Sequence, residues 1–360
     1  VWSLPLRGET DMTINSLQDQ APPLPKDRGS KKNTKIRAPR NRTLSCTEKE
    51  LACLSKQLMQ LYQAVTREQI TDCIINQNIF EVVRFLPVQF VNLLILDPPY
   101  NLTKNFDGYL FRAKEAKAYS LWFNRMLSSL IPLLHPNATI YVCSDWQTST
   151  LVFPVLEQHF HVRNRITWER EKGRGAKLNW KNNTEDIWFC TLNEKYTFNV
   201  NAVKLKRKVI APYRDTNGQP KDWEESDNGN YRLTYPANLW SDITVPFWSM
   251  PENTDHPTQK PEKLIAKLIL ASSNPNDFVL DPCLGSGTTA VTAKKLNRRF
   301  CGIDLNQMYC CWALKRLALA EIDSSIQGYY DGVFWERNTP NGQKSIPVRR
   351  KTSQGGLFDV

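Results

Sequence analysis

The sequence predicts an α/β fold: a mostly parallel, doubly wound sheet with a polar region inserted into it. Three observations predict it. Short apolar runs rich in Val, Ile and aromatic residues alternate with amphipathic segments. Two of these runs end in turns that no central strand could continue, "LLIL" in Asp97-Pro98-Pro99-Tyr100 and "DFVLD" in a glycine turn. The alternation lapses between about residues 170 and 250 and then resumes.

Taken in order, residues 1–45 are polar and rich in Pro, Lys and Arg, and are expected to form a disordered basic arm. From Thr47 to Arg67 the residues Leu51, Leu54, Leu58 and Leu61 recur at helical spacing and predict an amphipathic helix. Apolar runs around Ile74-Ile75 and Val91 to Leu96 flank a short helical piece around Ile79 to Phe85, giving strand, helix, strand. Tyr119, Trp122, Met126 and Leu130 share one face of the next helix. Ala138 to Asp145, "RNRITWER" and "EDIWFCTL" read as strands. Residues 46–169 thus make one half of the domain, and 170–250, with Gly, Asn, Trp and Tyr among charges, form an inserted recognition region. Residues 251–326 make the second half. There Pro261 starts a helix through "EKLIAKLILASS", followed by strand, glycine turn, helix, strand and helix. Residues 327–360 are a polar tail without an assigned role.

The formal net charge of +11 and a pI near 9.2 are the footprint of a polyanion binder. No apolar run approaches the roughly 18 residues of a transmembrane helix, so no membrane partner is expected. The opening residues are too short and too polar for a signal peptide, and Met12 is a candidate start. The nine cysteines include no CxxC pair, which argues against a metal site and for reduced, buried thiols.

The glycine turn narrows the chemistry. Gly285 and Gly287 permit close backbone approach, while Ser286, Thr288 and Thr289 can cap the helix that follows. Asp304 ends a second strand 23 residues after Asp281 (304 − 281), the spacing at which a carboxylate meets ribose hydroxyls. The turn has no Gly-Lys-Ser/Thr, and G-x-G-x-x-G fails because Ala290 follows Thr288 and Thr289. What remains is a nucleoside cofactor without a pyrophosphate. Asp281 suits a cationic amine on it, and S-adenosylmethionine combines adenosine, amine and sulfonium.

With "DPPYN" at 97–101, "HPTQKP" at 256–261 and "DPCLGSGTT" at 281–289, the chain resembles the beta subgroup of the DNA amino-methyltransferases, specific for adenine N6 or cytosine N4. The order of motifs, with an insertion between the first two, is that subgroup's own, and the similarity runs from about Asp72 to Arg316. The resemblance implies a Rossmann-like methyltransferase with a target-recognition insert, and S-adenosylmethionine as cofactor. It implies that Asp281 and Gly285-Ser286-Gly287, with Thr288, hold the methionine half and that Asp304 binds the ribose. His256 and Lys260 match residues near the cofactor. Cys283 stands where the family usually has Phe, and Asn78 stands where an Asp often reads the adenine ring.

The Asp-Pro-Pro-Tyr turn then makes chemical sense. The lone pair of a nucleobase amine is delocalised into the ring. Asp97 and the Pro98 carbonyl can each accept one of its N–H groups, more strongly as positive charge develops. Pro98 and Pro99 hold that carbonyl rigidly. Tyr100 offers a face on which a flipped-out base can stack. The expected reaction is methylation of adenine N6 in duplex DNA. Asp97 favours adenine, since in the family cytosine N4 enzymes more often carry Ser there; cytosine N4 is the alternative, and a catalytically inactive nucleic-acid-binding protein is a further one. Arg165, Lys172, Arg174, Lys177 and Lys181, with Lys206 and Arg207 of "KLKRK", are the expected DNA contacts. The expected partner is double-stranded DNA, in the cytoplasm and at the nucleoid. A cognate restriction endonuclease, the recognition sequence and the oligomeric state are left open.

Overall fold

The computed structural model describes residues 37–170, 177–210, 213–225 and 229–336. Residues 1–36 of the expected arm lie outside them, but its last residues are ordered. The Arg42 N–H donates to the Trp248 carbonyl (2.6 Å) and the Leu44 N–H to Asn253 (2.7 Å). Leu44 is buried against Tyr309 and Trp312. Helix α1 (Glu48–Leu54) opens on a capping box between Thr47 and Glu50. It ends well before the expected Arg67. After a 3-10 turn at Ser55–Gln57, Met59 exchanges backbone bonds with Ile74 and Asn76 (2.9 and 3.0 Å). Leu54 and Leu61 are both buried, the first from a helix and the second from extended chain, so backbone pairing overrode helical spacing here.

Strand β1 (Cys73–Asn76) leads through α2 (Ile79–Val82) to β2 (Val91–Leu96). A hairpin of β3 (Lys104–Phe106) and β4 (Tyr109–Phe111) precedes α3 (Ala116–Leu130) and the long β5 (Leu134–Ser144). Helix α4 (Trp146–His159) follows, unforeseen in the sequence because Pro154 lies inside it. It is capped by Asp145, whose carboxylate accepts from the Thr148 N–H. Then come β6 (His161–Glu169), β7 (Thr184–Thr191), β8 (Leu205–Lys208), β9 (Tyr231–Thr234) and β10 (Leu239–Trp240). The second half runs α5 (Glu262–Ser272), β11 (Phe278–Asp281), α6 (Thr288–Lys295), β12 (Arg299–Asp304) and α7 (Gln307–Ile322), ending with β13 (Tyr329–Tyr330) and β14 (Val333–Trp335).

Eight strands make one sheet in the order β1-β12-β11-β2-β5-β7-β6-β10. All neighbours are parallel except β7, which runs antiparallel to both β5 and β6. The expected insert of 170–250 therefore contains a strand of the main sheet, β7, and its edge strand, β10. The rest of that region forms a second sheet, β13-β14-β8-β9. The expected tail contributes two strands to it, with Phe334 fully buried beside Val203, Leu205 and Ala266. No helix among the described residues is long and apolar enough to cross a membrane.

Alternation along β2 divides the core. Leu94 and Leu96 face Tyr119, Phe123 and Leu127 of α3, whereas Leu93 and Ile95 face Leu264 of α5 and Val291 of α6. Helices on both faces follow from strands apolar on both faces. A buried ionic cluster ties the chain just after β10 to α5. Asp242 accepts from Lys263 at 2.7 Å and Lys267 at 2.8 Å, and all three are buried. Burial pushes the Asp242 carboxyl up, but Lys267 and Lys263 more than offset it and hold it below its ordinary value. Removing Asp242 would leave two buried ammonium groups without their carboxylate. Asp242→Ala should therefore lower stability by about 3–5 kcal/mol in urea unfolding, and a loss under 1 kcal/mol would show the cluster to be solvated.

Candidate active site

The two motif turns meet because their strands pair. β11 lies beside β2 in parallel register, Val279 opposite Leu93 and Leu280 opposite Leu94. Asp97 and Asp281 therefore leave the same edge of the sheet from adjacent strands, the position at which open α/β sheets bind ligands. Their charges act on one another: Asp97 is among the groups that raise Asp281.

The Asp-Pro-Pro-Tyr turn is held from both sides. The Tyr119 hydroxyl of α3 donates to the Pro99 carbonyl (2.9 Å), and the Asn101 N–H donates to Thr148 Oγ1 of α4 (3.0 Å). Among the described residues no side chain or turn N–H donates to the Pro98 carbonyl. Asp97 is not alone. Lys260 Nζ donates to its Oδ2 at 2.6 Å and the Tyr100 hydroxyl to its Oδ1 at 3.1 Å. Glu185, from β7 and only 3% exposed, accepts from the same Tyr100 hydroxyl (3.1 Å) and pairs with Lys260 (3.3 Å). Arg170 closes the group with a 2.5 Å contact to Glu185 Oε1. Burial and the charges of Asp97 and Glu185 push the Tyr100 hydroxyl well above its ordinary value, so it stays protonated and donates. Burial alone would lower Lys260, yet Asp97 and Glu185 outweigh it and keep the ammonium charged.

The second cluster surrounds the glycine turn. The Gly285 N–H donates to Asp304 Oδ2 (2.7 Å), and the Cys283 N–H donates to Asp281 Oδ1 (3.0 Å). Burial lifts the Asp281 carboxyl to about 7; bonds from Thr289 and Cys283 lower it, and the charges of Asp97 and Asp304 raise it. Burial likewise lifts Asp304 to about 6 against N–H donors from Asn306, Gly285 and Leu305. The main influences on the two carboxylates are burial and hydrogen-bond donors, joined at Asp281 by the negative charges of Asp97 and Asp304. A cationic group between them would restore the balance, which is the fit expected of an amine-bearing nucleoside. His256 sits against this turn, edge-on to Tyr309 at 4.4 Å. Burial, with the charges of Lys260, Lys104 and Arg316, lowers it to about 3, and its Nδ1 accepts from the Thr258 N–H, leaving a neutral ring.

The remaining expected residues fall in different places. Ser286 and Thr288 are buried and turned inward: Arg316 donates to the Ser286 carbonyl (2.9 Å), and Thr288 Oγ1 donates to the Lys260 carbonyl (3.0 Å). Burial keeps the Cys283 thiol far above its ordinary value. Asn78 caps α2 through the Phe80 N–H, while Asn76 ties β1 to the end of β12 through the Asp304 carbonyl (3.0 Å). Lys260, expected near the cofactor, lies on Asp97. Of the expected DNA contacts, Lys172 and Arg174 lie outside the described residues. Lys177 and Lys181 are exposed, and Arg165 lies 3.8 Å from Asp186. Because β6 runs parallel to β5, the segment joining β6 to β7 leaves the sheet at the same edge as Asp97. It carries Lys177, the fully exposed Leu178 and Trp180. Lys206 and Arg207 belong to the second sheet, near Glu224 (3.4 Å) and Glu336 (3.8 Å). Glu185 and Tyr309 had no sequence signal beyond their residue type.

Comparisons with known proteins agree with this geometry. A family model described as DNA methylase matches residues 91–315. The DNA adenine methyltransferase YhdJ of Escherichia coli (strain K12) is 32% identical over 254 residues, 69% of this chain and 83% of that protein. The Type II methyltransferase M.HpaI of Haemophilus parainfluenzae is 32% identical over 281 residues, 77% of this chain and 82% of that protein. Among solved structures, the PvuII DNA methyltransferase (cytosine-N4-specific) has the same fold, with a TM-score of 0.50 at 16% identity over 71% of this chain and 87% of that one.

The glycine turn admits no side chain at its second glycine. Gly287 has φ +85°, and a Cβ there would lie 2.4 Å from that of Ala313. Gly287→Ala should cost about 1–3 kcal/mol in thermal unfolding; an unchanged melting temperature would mean that α7 yields without cost.

Proposed function

From a chain that belongs to the N6/N4 DNA methylase family, we propose a methyltransferase that acts on the N6 amine of adenine in duplex DNA with S-adenosylmethionine as donor. The observation that carries it is the pairing of β2 with β11, which puts Asp97 and Tyr100 beside the Asp281 turn. S-adenosylmethionine, when bound, supplies an electrophilic methyl group on a sulfonium. Asp281 and Asp304 are the residues that fit its amine and ribose, and the hydrogen-bonded Gly285 backbone lines the approach.

Asp97 accepts one N–H of the target amine and the Pro98 carbonyl the other, drawing the nitrogen lone pair out of conjugation. Both acceptors bind the transition state more tightly than the ground state, because the nitrogen gains positive charge as the methyl moves. The bond from the Tyr119 hydroxyl and the one that Asn101 donates to Thr148 spare the turn reorganisation during this step. Tyr100, fixed by its hydroxyl, presents its ring to the flipped base. The proton leaves the amine after transfer, so Asp97 acts as acceptor rather than as a base that must first form an amide anion.

Adenine is favoured because Asp97 opens the motif and because a relative at 32% identity is named an adenine methyltransferase. Cytosine N4 is the second reading, supported by the same acceptor geometry. The basic segment between β6 and β7 supports contacts to DNA phosphates, and a restriction endonuclease partner fits the likeness to a Type II methyltransferase. We place the protein with its substrate, in the cytoplasm and at the nucleoid.

Methylation-aware sequencing of DNA from cells expressing the chain tests the reading. N6-methyladenine should occur at one short motif and fall by at least about 10²-fold in Asp97→Ala cells. N4-methylcytosine at the motif would give the second reading, and no mark in wild-type cells would remove the enzymatic claim. The raised Asp281 also sets a pH dependence. A cationic amine binds the ionised carboxylate, which must lose its proton below about pH 7. Affinity for S-adenosylmethionine should rise by up to about tenfold per pH unit towards pH 7 and then level. Calorimetry in two buffers reads it as proton release on binding; a flat profile with no release would place the amine elsewhere.

A further inference from the structure

We propose that Lys260 is a movable counter-ion, neutralising Asp97 until the target amine arrives and then resting on Glu185, which makes Glu185 a positioning residue of the reaction. The proposal rests on the methyltransferase reading above. Its starting point is a conflict: both oxygens of Asp97 are occupied, Oδ2 by Lys260 Nζ at 2.6 Å and Oδ1 by the Tyr100 hydroxyl at 3.1 Å. A base amine cannot use Asp97 as acceptor unless one of these donors moves.

Each donor has a second acceptor within reach, and it is the same carboxylate. Glu185 Oε2 lies 3.3 Å from Lys260 Nζ and 3.1 Å from the Tyr100 hydroxyl. Arg170 grips the other oxygen, Oε1, at 2.5 Å and so holds Oε2 towards the pair. The ammonium carries three donors on a flexible four-carbon stem. Its present contacts to Asp97, Tyr100 and Glu185 use all three, so a swing away from Asp97 keeps two. The backbone of Lys260 is anchored, because Thr288 Oγ1 donates to its carbonyl (3.0 Å) and Pro261 caps α5, so movement is confined to the side chain. The swing keeps two carboxylates and two cations in the group, so no net charge has to cross a low-dielectric site.

Without the second seat, the ammonium would stay on Asp97 and compete with the substrate. Glu185→Gln should therefore slow single-turnover methyl transfer by roughly tenfold or more at saturating S-adenosylmethionine, on a duplex containing the site found by sequencing. Adding Lys260→Met removes the trapped cation, so the double variant should be at least about fivefold faster than Glu185→Gln alone. A static structural pair predicts the opposite: a double variant as slow as or slower than the single one, which would overturn the proposal. A wild type without transfer would overturn the methyltransferase reading itself. Should Glu185→Gln fail to fold, a structure of the wild type with duplex DNA and a cofactor analogue that cannot donate methyl decides the matter. Lys260 Nζ should then contact Glu185 with the target amine on Asp97; Lys260 still on Asp97 above a flipped base would overturn the proposal.

Discussion

Everything at the site depends on the hydrogen-bonded pairing of β2 with β11. The two carboxylates it joins are 184 positions apart (281 − 97), and no local preference could bring them together. The pairing is secured by apolar faces on both sides of the sheet, Leu93 and Ile95 on one and Leu94 and Leu96 on the other. A slip of one residue would exchange these faces and move both turns at once. The register of a buried parallel sheet is thus what sets the distance between acceptor and cofactor turn.

The electrostatics are arranged in two different ways on the two strands. On the β2 side, Asp97 and Glu185 are matched by Lys260 and Arg170, so a buried acidic pair is neutral as a group. On the β11 side, Asp281 and Asp304 accept from N–H and hydroxyl donors, and burial raises both. The first arrangement is complete without a ligand, the second is not. Behind the glycine turn, buried Arg316 joins Glu262 of α5 (2.9 Å) to the Ser286 carbonyl (2.9 Å), so two helices brace the turn in addition to its own bonds. The bracing holds both raised carboxylates in place beside the turn.

The parts legible in the sequence are those where local chemistry and global placement agree. β-Branched strands, the prolines after Leu96 and the positive-φ glycines after Asp281 each admit few conformations, and the main sheet follows from them. The parts that were not legible are those decided by partners distant in the chain. Leu58 and Leu61 continue a helical pattern, but Met59 pairs with β1 and the helix stops. Helix α4 carries an interior proline that its capping and its packing beneath β7 outweigh. β7 was legible as the apolar run Glu185 to Leu192, but its place in the main sheet between β5 and β6 was not, nor was the burial of Glu185, an acid that nothing in the local sequence distinguishes from a surface one. Lys260 shows the same limit at the site itself: its motif placed it near the cofactor turn, and only the fold shows that its head reaches across to Asp97.

The order of motifs can differ from the order of strands without physical cost. A parallel sheet is indifferent to which of two neighbouring strands comes first, provided each returns through a helix on one of its faces. Here β2 and its turn come first, and the chain then passes through β5, crosses to β6, turns back through β7 between them, and reaches β10 before returning through α5 to β11. The outward excursion ends at the sheet's far edge, where β10 and the second sheet add surface beyond the catalytic pair. The link between β6 and β7, with Lys177, Leu178 and Trp180 exposed, leaves at the same edge as Asp97. Arg170 begins that link and Glu185 follows it into β7, so the contact between them closes its base directly against the catalytic group. The facing ends of β6 and β7 are thereby rooted in the same ionic cluster as Asp97, joined to it through the Arg170–Glu185, Glu185–Lys260 and Lys260–Asp97 contacts.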